Sequence, residues 1–217
     1  MKILAIRSAK SIWLTTTAFL NPGGRYLYAA LGTVKDRYGF LKSPLDKKLP
    51  PEATDGYKFE IGAFNGKNGQ IEIVQFVIHT DGLVVETRSS TDDGEDFLMD
   101  FFAWGIKELG LANPEDLPIK KIYSSEINFT LSRKPIFFNP KLSNFFEAAN
   151  KATRDESGSD FLQLTLGTDQ TRSKNQRTFS IAREVDTEID AKRYYSFAST
   201  TTAEHIEILE KLEKLST

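Results

Sequence analysis

Two periodicities alternate along the chain, and their order predicts an α+β protein built as a tandem repeat. Residues 2–20 are rich in Ile, Leu, Trp and Thr, which predicts one or two strands. Asn21-Pro22 follows, a capping residue and a good first helical residue, so a helix is expected there. Leu27, Ala30, Leu31, Val34 and Tyr38 recur at helical spacing, and Gly39 suits the C-cap. Residues 42–56 carry three prolines, mixed charges and few large apolar groups, which predicts a long loop suited to mobility or a functional insertion. Strands are expected at 57–64, 70–80 and 83–88. In the second of these, Ile71, Ile73, Gln75 and Val77 fall on one face and Glu72, Val74, Phe76 and Ile78 on the other. Asp81-Gly82 is a hairpin signal between the second and third. Ser90 or Thr91 then caps a helix with an acidic first turn and an apolar stripe of Phe97, Leu98, Phe101, Phe102, Ile106 and Leu109.

After residues 110–118 the pattern restarts. A strand is expected at 119–132, and a helix opens at Phe137-Phe138-Asn139-Pro140 with Leu142, Phe145, Phe146 and Ala149. A polar loop covers 153–160. Strands follow at 161–166, 177–184 and 193–198. A last helix buries Ile208, Leu209, Leu212 and Leu215 and carries the outward pairs Glu207–Lys211 and Glu210–Lys214.

The repeat has direct sequence support. Phe19-Leu20-Asn21-Pro22 matches Phe137-Phe138-Asn139-Pro140. Seven residues after each Asn sits an aromatic, Tyr28 and Phe146, and two further on an alanine, Ala30 and Ala148. Strands ending in Ser/Thr clusters precede both final helices, and aligning them sets Leu98 and Phe102 opposite Ile208 and Leu212. Each half, 1–112 and 113–217, then reads β-α-β-β-β-α. The simplest assembly joins the two sheets edge to edge about a pseudo-twofold axis. That would remove an exposed edge from each half and leave one broad face opposite the helices.

This order resembles the duplicated saddle of the TATA-box-binding protein family. Residues 77–110 are similar in layout to part of its repeat: strand, short turn ending in Gly82, strand, then an acidic helix start. The resemblance implies a fold and no activity. The family's paired intercalating phenylalanines and basic concave face have no counterpart in this sequence, and its Asn-Pro lies near a strand rather than at a helix start.

Composition narrows the functional classes. The 217 residues are 40% hydrophobic and 27% charged, with 16 Phe, a globular composition able to fill a core. Residues 1–112 hold 13 basic and 14 acidic side chains and residues 113–217 hold 15 and 16, so no global basic field exists for nucleic acid or an anionic membrane. There is no Cys, which excludes disulfides, thiolate metal sites and Cys nucleophiles. Only four apolar residues run uninterrupted before Arg7, and no 18-residue apolar run occurs, so a cytoplasmic protein with no membrane partner is expected.

Candidate chemistry is sparse, and no catalytic residue, metal site or cofactor is nominated. His79 precedes a turn and His205 lies in a first helical turn; both are expected to be exposed or capping, with no metal-ligand spacing between them. Asp92, Asp93, Glu95 and Asp96 could draw a divalent cation but also complement a helix N-terminus. Asp155, Glu156 and Asp160 form a weaker acidic loop. Pro22-Gly23-Gly24 could present amides to an anion. Lys120, Lys121, Arg133, Lys134, Arg172, Lys174, Arg177 and Arg183, near Tyr194, Tyr195 and Phe197, offer cations for phosphate and rings for stacking. The leading expectation is a non-enzymatic binding or assembly protein that engages a protein partner or its own copy through its sheet or the 42–56 loop. The alternatives are nucleic-acid binding through the second half and, behind it, a carboxylate-based metal enzyme.

Overall fold

The structure is a computed structural model. It describes residues 1–16, 27–46, 56–67, 69–132, 148, 151–152, 163–168, 177–184 and 192–215. Among the described residues eight strands form an antiparallel sheet: β1 (Lys2–Leu14), β2 (Tyr57–Gly66), β3 (Gly69–His79), β4 (Gly82–Thr87), β5 (Lys120–Thr130), β6 (Gln163–Gly167), β7 (Thr178–Arg183) and β8 (Arg193–Ala198). Their hydrogen-bonded order is β2-β3-β4-β1-β5-β8-β7-β6. The described helices are α1 (Leu27–Tyr38), α2 (Thr91–Glu108) and α3 (Thr202–Leu215). The starts expected at Asn21-Pro22 and Asn139-Pro140 lie outside the described residues. None of the described helices is long and apolar enough to cross a membrane.

The chain divides into two compact units. One holds Met1–Arg7, Glu126–Ser199 and Ala203–Thr217; the other holds Ser8–Ser125 and Thr200–Thr202.

The Ser8–Ser125 unit has an aromatic core. Phe76 of β3 lies 5.1 Å from Phe97 and 5.0 Å from Phe101 of α2, ring centre to ring centre, and 6.0 Å from Phe59 of β2. Trp13 of β1 stacks on Phe102 at 5.5 Å, and Tyr38 at the end of α1 tilts against Phe97 at 4.7 Å. Helix α2 starts where the sequence places it: Ser90 is the N-cap and accepts from the Asp93 amide at 3.0 Å. Its inward face differs from the expected stripe. Ile106 is exposed, whereas Gly94 and Gly105 are buried; a Cβ on Gly94 would sit 2.7 Å from Ser11 Oγ, and one on Gly105 2.5 Å from Leu111 Cδ1. Gly39 has a φ of 60° just past α1, as a C-capping glycine should.

Two further expectations fail at β3 and the turn that follows it. The β3–β4 turn is Thr80-Asp81, since His79 pairs with Gly82. Gly82 is needed for proximity instead: a Cβ there would lie 2.5 Å from the Trp13 carbonyl oxygen of β1. The strict alternation along β3 also breaks. The β3–β4 register shifts between Ile73 and Gln75, so Ile71, Ile73, Phe76 and Ile78 all enter one core.

In the other unit Ile127 and Phe129 of β5, Ile181 of β7 and Tyr194 of β8 pack with Leu209 and Leu212 of α3. Ile208, expected inside, is 39% exposed, and His205 takes the inward position one turn before Leu209. The outward pair Glu207–Lys211 forms at 2.8 Å.

Candidate functional site

Two of the acidic side chains at the start of α2, Glu95 and Asp96, are paired by neighbours within its unit. Trp13 Nε1 donates to Glu95 Oε1 and Lys121 Nζ to Glu95 Oε2, each at 2.5 Å. The Lys121 ammonium also lies 4.3 Å from the centre of the Trp13 ring, a cation–π contact. Lys67 Nζ meets Asp96 at 2.8 Å, and that carboxylate raises the lysine pKa. Ser90 covers the amide of Asp93. Among the described residues no three His, Asp or Glu side chains are gathered to hold a metal ion.

The basic residues named as a nucleic-acid face divide between the units. Lys121 is committed to Glu95 and Trp13. Lys120 is exposed at the start of β5. Arg177 is exposed before β7, its amide donating to Thr168 Oγ1 at 2.8 Å, and Arg183 is half-buried at the strand's end. Arg133, Lys134, Arg172 and Lys174 lie outside the described residues, as do Asp155, Glu156, Asp160 and Pro22-Gly23-Gly24. Of the neighbouring aromatics, Tyr194 is buried against Phe129 and has no face to offer a base. Tyr195 is half-buried, and its phenol pKa is raised by burial and then by the Glu126 carboxylate.

His205, expected at the surface, is fully buried. Its Nε2 lies 2.8 Å from Ser196 Oγ, and Ser196 Oγ donates its own proton to the Ser180 carbonyl at 2.7 Å. The serine is therefore an acceptor toward the ring, and Nε2 carries the hydrogen. A hydroxyl buried and committed in this way is not a nucleophile. The signal for burial was present in sequence: positions 205, 209 and 212 share one helical face.

An unforeseen feature lies at β2, the terminal strand of the order on that side. Ile61 has a φ of 57°, a conformation β-branched side chains avoid, and its side chain is 43% exposed. The cause is parity. Phe59 and Phe64 both turn toward the aromatic core, yet they are five residues apart, an odd spacing that an alternating strand cannot place on one face. One residue must break the alternation, and it is Ile61; at the next position the Phe40 ring fills the place a Cβ on Gly62 would need, 2.5 Å away. The chain leaving α1 then runs beside β2. Leu41 N donates to the Ile61 carbonyl at 3.0 Å, and Lys42 and Glu60 exchange both backbone hydrogen bonds.

Leu41 is 70% exposed there, and Leu45 in the following 3-10 turn is partly exposed. Asp46 pins that turn: Lys35 Nζ donates to it at 2.8 Å and the Ser43 amide at 2.6 Å. Lys35 first, then that amide, hold the Asp46 carboxyl below its usual range. The loop expected at 42–56 thus begins in an ordered turn; residues 47–55 lie outside the described residues.

No family model, curated protein or solved structure matches this chain. The resemblance to the TATA-box-binding saddle therefore rests on element order alone.

Proposed function

We propose that this chain is a non-enzymatic binding or assembly protein, built as two copies of a β-α-β-β-β-α unit spanning 1–112 and 113–217, and that it engages a macromolecular partner through the edge formed by Leu41 and Ile61. The observation that carries the reading is Ile61. A non-glycine residue in the left-handed region costs about 1–3 kcal/mol, and an apolar side chain left half in water returns little of that to folding. Parity accounts for an irregular residue at this place. It does not account for a large apolar side chain there, beside a second one. Contact with a partner would bury both.

Duplication is supported by two features. The strand order reads alike from either end once β1 is matched with β5, β4 with β8, β3 with β7 and β2 with β6. In addition, Thr91 N donates to Thr202 Oγ1 and Thr202 N to Thr91 Oγ1, both at 3.0 Å, the reciprocity expected of equivalent residues. This equivalence is one residue away from the alignment on Leu98 and Ile208: it sets Leu98 opposite Leu209 and Phe101 opposite Leu212, all buried.

The surface is tested with Leu41→Asp. Immobilised wild-type chain should retain a partner from lysate, or its own copies by light scattering above 24.4 kDa, and the variant should lose at least tenfold of that retention. Identical behaviour of the two proteins would reject the surface. Nucleic-acid binding remains the competing reading. A salt-dependent gel shift lost with Lys120→Glu and Arg177→Glu, but kept with Leu41→Asp, would favour it instead.

A further inference from the structure

Helix α2 carries an apolar stripe on the side turned away from its core. Met99, Ala103 and Ile106 recur at i, i+4 and i+7, and all three are exposed, Met99 by 45% and Ile106 by 40%. A surface helix ordinarily keeps that side polar. Helix α3 does so: under the proposed equivalence of Thr91 and Thr202, Met99 and Ala103 correspond to Glu210 and Lys214, both exposed.

Charge is laid out along one flank of the stripe. Asp96, Asp100, Ala103 and Lys107 follow at spacings of four, three and four, so they form one row on the helix surface. Asp96 is held through Oδ1 by Lys67 at 2.8 Å. Asp100 is held by Arg37 and by the Tyr38 hydroxyl, both at 2.8 Å. Lys107, one turn beyond Ala103, is exposed. The row is therefore acidic towards the start of the helix and basic at its end.

We propose that α2 is a self-association surface: it packs against α2 of a second copy of this chain, antiparallel, about a twofold axis level with the link between Phe102 and Ala103. The occupant follows from the pattern, which complements itself under that single operation. Position 99 comes level with position 106 of the second copy, so Met99 and Ile106 cover each other twice. Position 107 comes level with the midpoint between 96 and 100 of the second copy, so each Lys107 faces two carboxylates across the rim. Ala103 stands at the crossing, where a small side chain lets the helix axes approach to about 8 Å. Antiparallel packing also sets opposite dipole ends side by side. A parallel pair would instead level acid with acid and Lys107 with Lys107.

Light scattering of the full chain over a dilution series should give twice the 24.4 kDa of one chain at high concentration. Ala103→Glu, at an exposed helical position, should leave the fold intact and weaken the dimer at least about tenfold. Lys107→Glu and Asp96→Lys should each weaken it as much, because each sets like charges opposite one another. Mixed one to one, these two variants should recover a dimer about as tight as wild type, since both cross-contacts then join opposite charges. A folding defect cannot produce that rescue. Leu41→Asp should remain dimeric, which separates this surface from the edge proposed for the partner. A chain monomeric at every concentration, a dimer that survives Ala103→Glu, a dimer lost with Leu41→Asp, or a mixture that recovers nothing would overturn the proposal.

Discussion

Replacing Phe76 by Ala is expected to lower the stability of the Ser8–Ser125 unit by about 3–5 kcal/mol, the range for a large aromatic removed from a packed core. The ring is fully buried and touches aromatic neighbours from β2 and α2, so its loss leaves a cavity that several rigid rings must share. Urea titration followed by tryptophan fluorescence reads this unit specifically. Both tryptophans of the chain, Trp13 and Trp104, belong to its core. A loss below about 1 kcal/mol would mean the aromatic core is not packed as described.

The second large effect falls on Gly82. An alanine there brings a Cβ to 2.5 Å from the Trp13 carbonyl oxygen and 3.2 Å from Leu14 Cα, both backbone atoms. No side-chain rotation relieves such a contact; β1 and β4 must part. Trp13 pairs with Leu83 in that ladder, so the shift also disturbs the stack on Phe102. We expect Gly82→Ala to cost about 3 kcal/mol. Gly32→Ala, inside α1 with only Leu45 Cδ1 at 3.8 Å from the new Cβ, should stabilise by about 0.5–1 kcal/mol. Both are checked by the same fluorescence titration. A Gly82→Ala protein as stable as wild type would show that the two strands do not approach so closely.

Much of the fold was legible because local chemistry and tertiary packing agree. The Ser90 cap, the acidic turn after it, the Gly39 terminator and the strands at β4 and β8 follow from residues that act within a few positions of themselves. The misses share one cause, a decision made by a distant residue. Gly82 reads as a turn glycine until Trp13 of another strand is seen against it. Ile106 reads as core until Leu111 is seen packed on Gly105, which takes the inward position beside it. The odd spacing of Phe59 and Phe64 was visible in the sequence, but only the shared core shows that both rings must reach one face. The candidate site was less legible still. Lys121 looked like a phosphate ligand, and its partners Glu95 and Trp13 are 26 and 108 residues away. No sequence motif announces Leu41 or Ile61, because exposure and a positive φ are properties of the folded backbone.

Ile61→Gly tests the contact role of this edge most directly. Glycine removes the left-handed strain and the apolar side chain together, at an entropic cost of about 0.5–1 kcal/mol. The folded variant should be as stable as wild type or about 1 kcal/mol more so by urea titration, while its retention of partner falls at least tenfold. A variant that is equally stable and retains the same partner to the same extent would contradict a contact role for this edge.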